Sequence, residues 1–312
     1  MYIIGENIHI ISPKVKEALA NRDGAFFVQL ARKQQAAGAN VLDLNIGPQK
    51  KAGPEVVSWL IECVQEGVGD QMTISLDTTN LAAIETGLKK LAKGGVSNAI
   101  INSASAEEER LATVPPLAAQ YGARLIALCM EKGGIPVSAD ARVSLAMDKL
   151  IPRAQEVGVP MDRLLIDPLV LTVSGCQEYV PHAVEAVRML KMVSDPPPMT
   201  VCGLSNVSNQ VVPAMRPLLN RTYLVMLMAV GIDAAILDPL DREMMETIRI
   251  VEQRDASTPV GSLYLKLFDA VAAGGELEPG DVDMNDPKQA EIWKTVQVLL
   301  NKVIYTDSYL RL

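Results

Sequence analysis

Eight short runs of strand-forming residues recur along this chain with helical periodicity between them. An alternation of that kind admits little besides a parallel β/α architecture. The runs are Tyr2–Ile10, Asn40–Ile46, Met72–Leu76, Ala99–Asn102, Arg124–Met130, Leu164–Ile166, Met199–Leu204 and Ala234–Leu237. Eight β/α units in roughly 250 residues predict a TIM (β/α)8 barrel. A doubly wound sheet is the main alternative, but no G-x-G-x-x-G follows any run, and each run ends in polar residues instead. The intervening helices are ordinary: Asp23 to Gly38 puts Phe26, Phe27, Leu30 and Ala31 on one face and stops at a glycine. The expected organisation is an α/β barrel over residues 1–260 and a C-terminal helical extension over 261–312. The extension reads as two helices separated by an acidic linker from Gly274 to Asp286, with Asp286-Pro287 as N-cap and first helical residue. Ile292, Val296, Leu299, Leu300 and Val303 form one apolar stripe, expected to pack on the chain's own barrel.

The background is acidic, with a formal charge of -8 over 312 residues, and no Lys/Arg-rich run interrupts it. Binding to nucleic acid or to an anionic membrane surface is therefore not expected. The N-terminus starts in a strand-like run without a basic leader, and the most apolar segment, Tyr223 to Leu237, is too short to span a bilayer and carries Asp233. A cytoplasmic protein is expected. Cys63, Cys129, Cys176 and Cys202 are scattered with no C-x-x-C, which predicts small buried hydrophobes and neither a disulfide framework nor a zinc site. His9 reads as a hydrogen-bonded structural group and His182, after Pro181, as a surface residue at a helix start. Neither suggests a nucleophilic triad.

In a barrel the carboxyl ends of all strands surround one mouth, so polar residues there are candidates for function even when far apart in sequence. Here run 1 ends in Glu6, Asn7 and His9, run 2 carries Asp43 and Asn45, and run 3 ends in Asp77 followed by Thr78-Thr79-Asn80. Run 4 ends in Asn102-Ser103, run 5 leads to Glu131, run 6 to Asp167-Pro168, run 7 to Ser205-Asn206 and run 8 to Asp238. Acids and amides dominate, with no Lys or Arg at a strand end. That set suits a flat heterocycle rich in N–H donors, such as a pterin, because carboxylates accept paired hydrogen bonds while amides both donate and accept. Two other readings remain. Asp43, Asp77, Asp167 and Asp238 could supply oxygen to magnesium. Some of the polar residues could instead cap the following helices, above all Asp77 and the Ser205-Asn206 pair.

With these residues in place the sequence resembles the pterin-binding methyltransferases, specifically those that act between methyltetrahydrofolate and a corrinoid protein. The resemblance covers about residues 1–260. It is carried by Gly5-Glu6-Asn7, Asp43-Leu44-Asn45-Ile46-Gly47-Pro48, Ser75-Leu76-Asp77-Thr78-Thr79-Asn80, Ile101-Asn102-Ser103, Gly134-Ile135-Pro136, Ile166-Asp167-Pro168-Leu169, Gly203-Leu204-Ser205-Asn206-Val207-Ser208 and Asn220-Arg221-Thr222-Tyr223-Leu224. It implies that Asp77, Asn102 and Asp167 hold the pterin and that Asn206 approaches the methyl-bearing N5. Glu6, Asn7, Asp43, Asn45, Ser205, Asn209 and Asp238 are the further candidates for substrate binding. Dihydropteroate synthases share the fold but carry a lysine in the seventh-strand motif, where this chain has Asn206 and Val207. The resemblance further implies a corrinoid supplied by a separate partner protein, since no Asp-x-His-x-x-Gly loop is present, and no metal bound by this chain. A homodimer is the expected assembly. Lys50 and Lys51 are placed to meet the glutamate tail of a folate. Asn209-Gln210 inverts the Gln-Asn order usual in the family, and the C-terminal extension is longer than in its compact members. The rival functions are a same-fold corrinoid methyltransferase using a quaternary amine or methoxy aromatic donor, and a non-catalytic folate-binding subunit.

Overall fold

A computed structural model describes residues 1–47, 49, 51–93 and 96–311. Pro48 and Lys50 lie outside the described residues. Among the described residues eight parallel strands close into a barrel: β1 (Tyr2–His9), β2 (Val41–Asn45), β3 (Thr73–Asp77), β4 (Ala99–Ser105), β5 (Arg124–Leu128), β6 (Leu164–Asp167), β7 (Met199–Gly203) and β8 (Ala234–Leu237). The predicted TIM barrel is the observed fold, and β8 pairs with β1 from Tyr2 opposite Ala234 to Gly5 opposite Leu237. The strands are buried on both faces, as a barrel wrapped in helices requires. Inside, Ile4, Val41, Ile100, Ile126, Leu165, Val201 and Ala234 pack together, each fully buried. At the N-terminal end Arg124 reaches across to Tyr2, its Nη1 donating to the hydroxyl at 3.0 Å and its guanidinium 5.3 Å from the ring centroid.

The outward-facing strand residues pack under the helices in two separate apolar clusters. One runs from Ile8 through the helices that follow β2 to β5, and the other joins β7, β8 and everything C-terminal to them. The helix Gly24–Ala36 is capped by Asp23, whose side chain accepts from Phe26 N–H at 3.1 Å. Two helices, Pro259–Ala272 and Pro287–Leu299, follow the last barrel helix, Arg242–Gln253. Pro259–Ala272 therefore straddles the expected boundary at residue 260. Asp286 caps the final helix with Pro287 in its first turn, and Ile292, Val296 and Leu299 are buried in the second cluster beside Tyr223 and Leu224. Val303 leaves the expected stripe and is 45% exposed, because the helix ends at Leu299 and Asn301 turns the chain at a φ of 56°.

His182 is partly exposed in the first turn of the helix Val180–Leu190, and His9 accepts from the Ile11 N–H through Nδ1 at 3.0 Å. Cys63, Cys129 and Cys202 are buried thiols, and Cys176 is partly exposed. No helix among the described residues is long and apolar enough to cross a membrane.

Candidate functional site

The mouth residues are placed by the two-residue period of a strand. Side chains two positions apart share a face, so a position two beyond an interior hydrophobe also points into the barrel, one layer nearer the mouth. Ile4 leads to Glu6, Val41 to Asp43 and Asn45, Ile100 to Asn102, and Leu165 to Asp167. On β3, Ser75 and Asp77 occupy the equivalent positions, with Asp43 opposite Ser75 and Asn45 opposite Asp77 in the β2–β3 register. The apolar layer is thus the floor on which the acids stand.

Most of the sequence candidates meet in pairs. Asn45 Nδ2 donates to Asp77 Oδ2 at 2.5 Å, and Asn102 Nδ2 donates to Asp43 Oδ1 at 3.2 Å. Across the mouth, Asn7 Nδ2 donates to Asp238 Oδ1 at 2.8 Å, and Ser205 Oγ donates to Glu6 Oε2 at 3.0 Å. Asp167 stands apart and accepts from the Leu169 N–H at 2.7 Å and from the Gly203 N–H. Leu169 itself has a φ of 68°, a left-handed conformation unusual for a branched residue. Glu6, Ser205 and Asp238 line an opening of about 310 Å³ together with Arg216, Asn220 and Met244.

Desolvation dominates the electrostatics. Burial raises Asp167, which is 4% exposed, to a pKa of about 7 against the N–H bonds and the Arg142 guanidinium that favour its anion. Glu6 is also raised to about 7 by burial, with the Asp238 charge adding to the effect and the Ser205 hydroxyl and Arg216 opposing it. Burial pushes both Asp43 and Asp77 up, Asp43 well above the carboxylate range, with the Asp77 charge as its next cause. His9 is held below the usual imidazole range by burial, which outweighs the nearby Asp77 charge.

The helix-cap readings fail at two positions. Asn80, not Asp77, caps the helix Leu81–Leu91, accepting from Ala83 N–H at 3.2 Å. After β7 the chain forms a short 3-10 turn, Leu204–Ser208, with no side-chain cap; Ser205 is turned to Glu6 and Asn206 is exposed. The Asn206 amide lies against Gly203, where a Cβ would stand 2.9 Å from its Nδ2. Gly203 has a φ of −77°, so a side chain at this position would meet no backbone strain, only the movable end of Asn206.

Other candidates stay outside this constellation. Asn209 is exposed and contributes its carbonyl to Thr172 Oγ1 at 2.6 Å, while Gln210 adopts a φ of 63°. Glu131 is half-exposed and pairs with Lys149 at 2.5 Å. Lys51 is exposed beyond β2. Among the described residues no three His, Cys, Asp or Glu side chains are grouped so as to hold a metal ion. The cations near the site are not strand-end residues but arrive from helices. Arg142, on Ala139–Leu145, is fully buried and donates to the carbonyls of Pro136 at 2.8 Å and Leu169 at 2.9 Å. Arg216, opening Arg216–Ala229, donates to Ser208 Oγ at 3.2 Å. Position 142 carried a signal: a lone arginine among Ala, Val and Leu in a helix that must bury one face.

A family profile described as pterin-binding enzyme matches residues 12–238. A methylcorrinoid:tetrahydrofolate methyltransferase of Eubacterium limosum is 30% identical over 271 residues, which is 86% of this chain and 96% of that protein. A methionine synthase of Mycobacterium tuberculosis is 29% identical over 297 residues, 88% of this chain but 24% of that far longer one. Among solved structures, a dihydropteroate synthase of Thermus thermophilus superposes with a TM-score of 0.54 at 19% identity, covering 81% of this chain and 92% of that one. The Yersinia pestis enzyme, solved with a pterine-sulfa conjugate, superposes with a TM-score of 0.56 at 17% identity, covering 81% and 93%.

Proposed function

Because the chain belongs to the pterin-binding enzyme family and is a methyltransferase, we propose that it carries a methyl group between N5 of methyltetrahydrofolate and the cobalt of a corrinoid held by a separate protein. The observation that carries this reading is the composition of the mouth: buried or half-buried acids and amides on β2, β3, β4 and β6, with an exposed asparagine after β7. Asp77, Asn102 and Asp167 take the N–H-rich edge of the pterin. Asp167 is suited to the task because its anion is under-solvated in the free protein, and ligand N–H donors restore what burial removes.

The chemistry asks for a proton. Methyl leaves N5 as a cation equivalent and joins the electron pair of cobalt(I), while the N–C pair remains on nitrogen. A neutral amine is a far better leaving group than an amide-like anion, so N5 is protonated before or as the bond breaks. Asn206 can accept from N5–H through its carbonyl and, rotated, donate from its amide to the neutral product. Glu6 is bonded to Ser205, the residue next to Asn206, and titrates at about 7, so this side of the mouth holds a group able to exchange a proton at neutral pH.

The test is single-turnover transfer from methyltetrahydrofolate to free reduced cobalamin, with a methylated amine and a methoxy aromatic as competing donors. Folate-dependent methylcobalamin formation is the expected result. Tight folate binding with no turnover would identify a binding subunit, and turnover with another donor alone would reassign the substrate.

A further inference from the structure

The C-terminal segment lies beyond the family-matched residues 12–238, yet it contacts the loops that follow β6 and β7. Gln177, 8% exposed, belongs to the loop that follows β6. Its Nε2 donates to the carbonyls of Val298 at 2.8 Å and Val303 at 2.6 Å, and its Oε1 accepts from the Tyr305 N–H at 2.7 Å. Both ends of the amide are therefore used, which a carboxylate of the same length could not do. The same segment reaches the loop after β7: the Tyr305 hydroxyl faces the Val212 N–H, and both side chains pack on the second apolar cluster. The two loops are also tied to each other where Thr172 Oγ1 donates to the Asn209 carbonyl at 2.6 Å. One of these loops starts at Asp167 and the other carries Ser205 and Asn206.

We propose that the C-terminal segment braces the two loops of the mouth that bear Asp167 and Asn206, with Gln177 as the positioning residue that joins them. The inference rests on the reading of Asp167 and Asn206 as folate-facing groups. Loops have few backbone ladders to fix them, so three hydrogen bonds, one buried and two partly buried, and a shared apolar seat decide how far they open. A segment that merely covered apolar surface would need no amide inserted between its own backbone groups.

Hydrogen exchange on the full chain tests the brace without any ligand. Gln177→Leu keeps the volume and loses all three bonds, while Gln177→Glu can still accept from Tyr305 but cannot donate to the two carbonyls. In both variants the amides of residues 169–178, 204–212 and 300–306 should exchange at least about tenfold faster, with β1 to β5 unchanged. Acceleration confined to 300–306, or uniform across the barrel, overturns the proposal. In a folate titration the Kd for methyltetrahydrofolate should rise about fivefold to twentyfold, and single-turnover transfer at saturating folate should slow as well. A wild-type Kd and rate in both variants would also overturn it. A wild-type chain that binds no folate would strike the functional reading alone, since the exchange pattern stands independently of it.

Discussion

Asp167→Asn should make the free protein more stable at alkaline pH while weakening its hold on folate. Asp167 is 4% exposed and its pKa rises from 3.8 to about 7, a difference of about 3 units, equivalent to roughly 4 kcal/mol between the ionised and neutral forms. A carboxyl whose folded pKa lies above its unfolded value stabilises the fold at low pH, and that stability is lost progressively from about pH 4 until pH passes the folded value near 7. Between pH 5 and pH 8 the wild type should therefore lose about 3 kcal/mol through this group, whereas the neutral asparagine loses nothing. The amide retains an acceptor for Leu169 N–H but sets an NH2 group in place of the second oxygen, at a cost of about 1–3 kcal/mol that does not vary with pH. Whatever that constant is, the variant's stability relative to wild type should improve by about 3 kcal/mol from pH 5 to pH 8. Glu6 titrates in both proteins and cancels. Urea unfolding followed by circular dichroism at the two pH values measures the change, and a folate titration at pH 8 should show affinity weakened by about 1–3 kcal/mol. A stability difference that is the same at both pH values, with folate affinity intact, would refute the assignment of Asp167 as an under-solvated acceptor awaiting a ligand.

Asn206→Ala should raise the barrier to methyl transfer by about 2–4 kcal/mol while changing folate affinity less, and a wild-type single-turnover rate would remove Asn206 from the chemistry. Gly203→Ala should leave the unfolding midpoint nearly unchanged, because the clashing atom is the movable end of Asn206, yet slow transfer in the same direction as Asn206→Ala. A wild-type rate there would mean that the Asn206 rotamer is not used. Asp77→Ala should weaken methyltetrahydrofolate binding by about 1–3 kcal/mol with the barrel intact; unchanged affinity with lowered thermal stability would make Asp77 a structural acid.

The barrel was legible because it is written in local patterns: apolar runs with period two, helical stretches between them, and polar residues where the runs stop. The pairs Asn45–Asp77 and Asn7–Asp238 were not, although each member was recognisable as a mouth residue. Pairing depends on the stagger between neighbouring strands, and β2 meets β3 with Asp43 opposite Ser75, an offset that no single strand encodes. The mutual influence of the Asp43 and Asp77 carboxyls was hidden for the same reason. Arg142 and Arg216 escaped notice because their guanidinium groups act at a distance from the helices that carry them. Gln177 opens a single 3-10 turn ahead of the helix Val180–Leu190, and its partners are more than a hundred residues away, so periodicity says nothing about it.

The division of the outer packing into two clusters has a bearing on how such a protein can diversify. Asp43, Asp77 and Asn102 ride on strands seated in the first cluster, and Asn206 and Asp238 on segments seated in the second. If Asp77 and Asn102 hold the donor and Asn206 faces the methyl as proposed, substitutions that accumulate under β2 to β4 can retune donor recognition without disturbing the segment that carries Asn206. On the proposed roles, changes under β7, β8 and the C-terminal helices can refit the approach of a new acceptor while Asp43, Asp77 and Asn102 keep their seat, with Asp167 coupled to both sides.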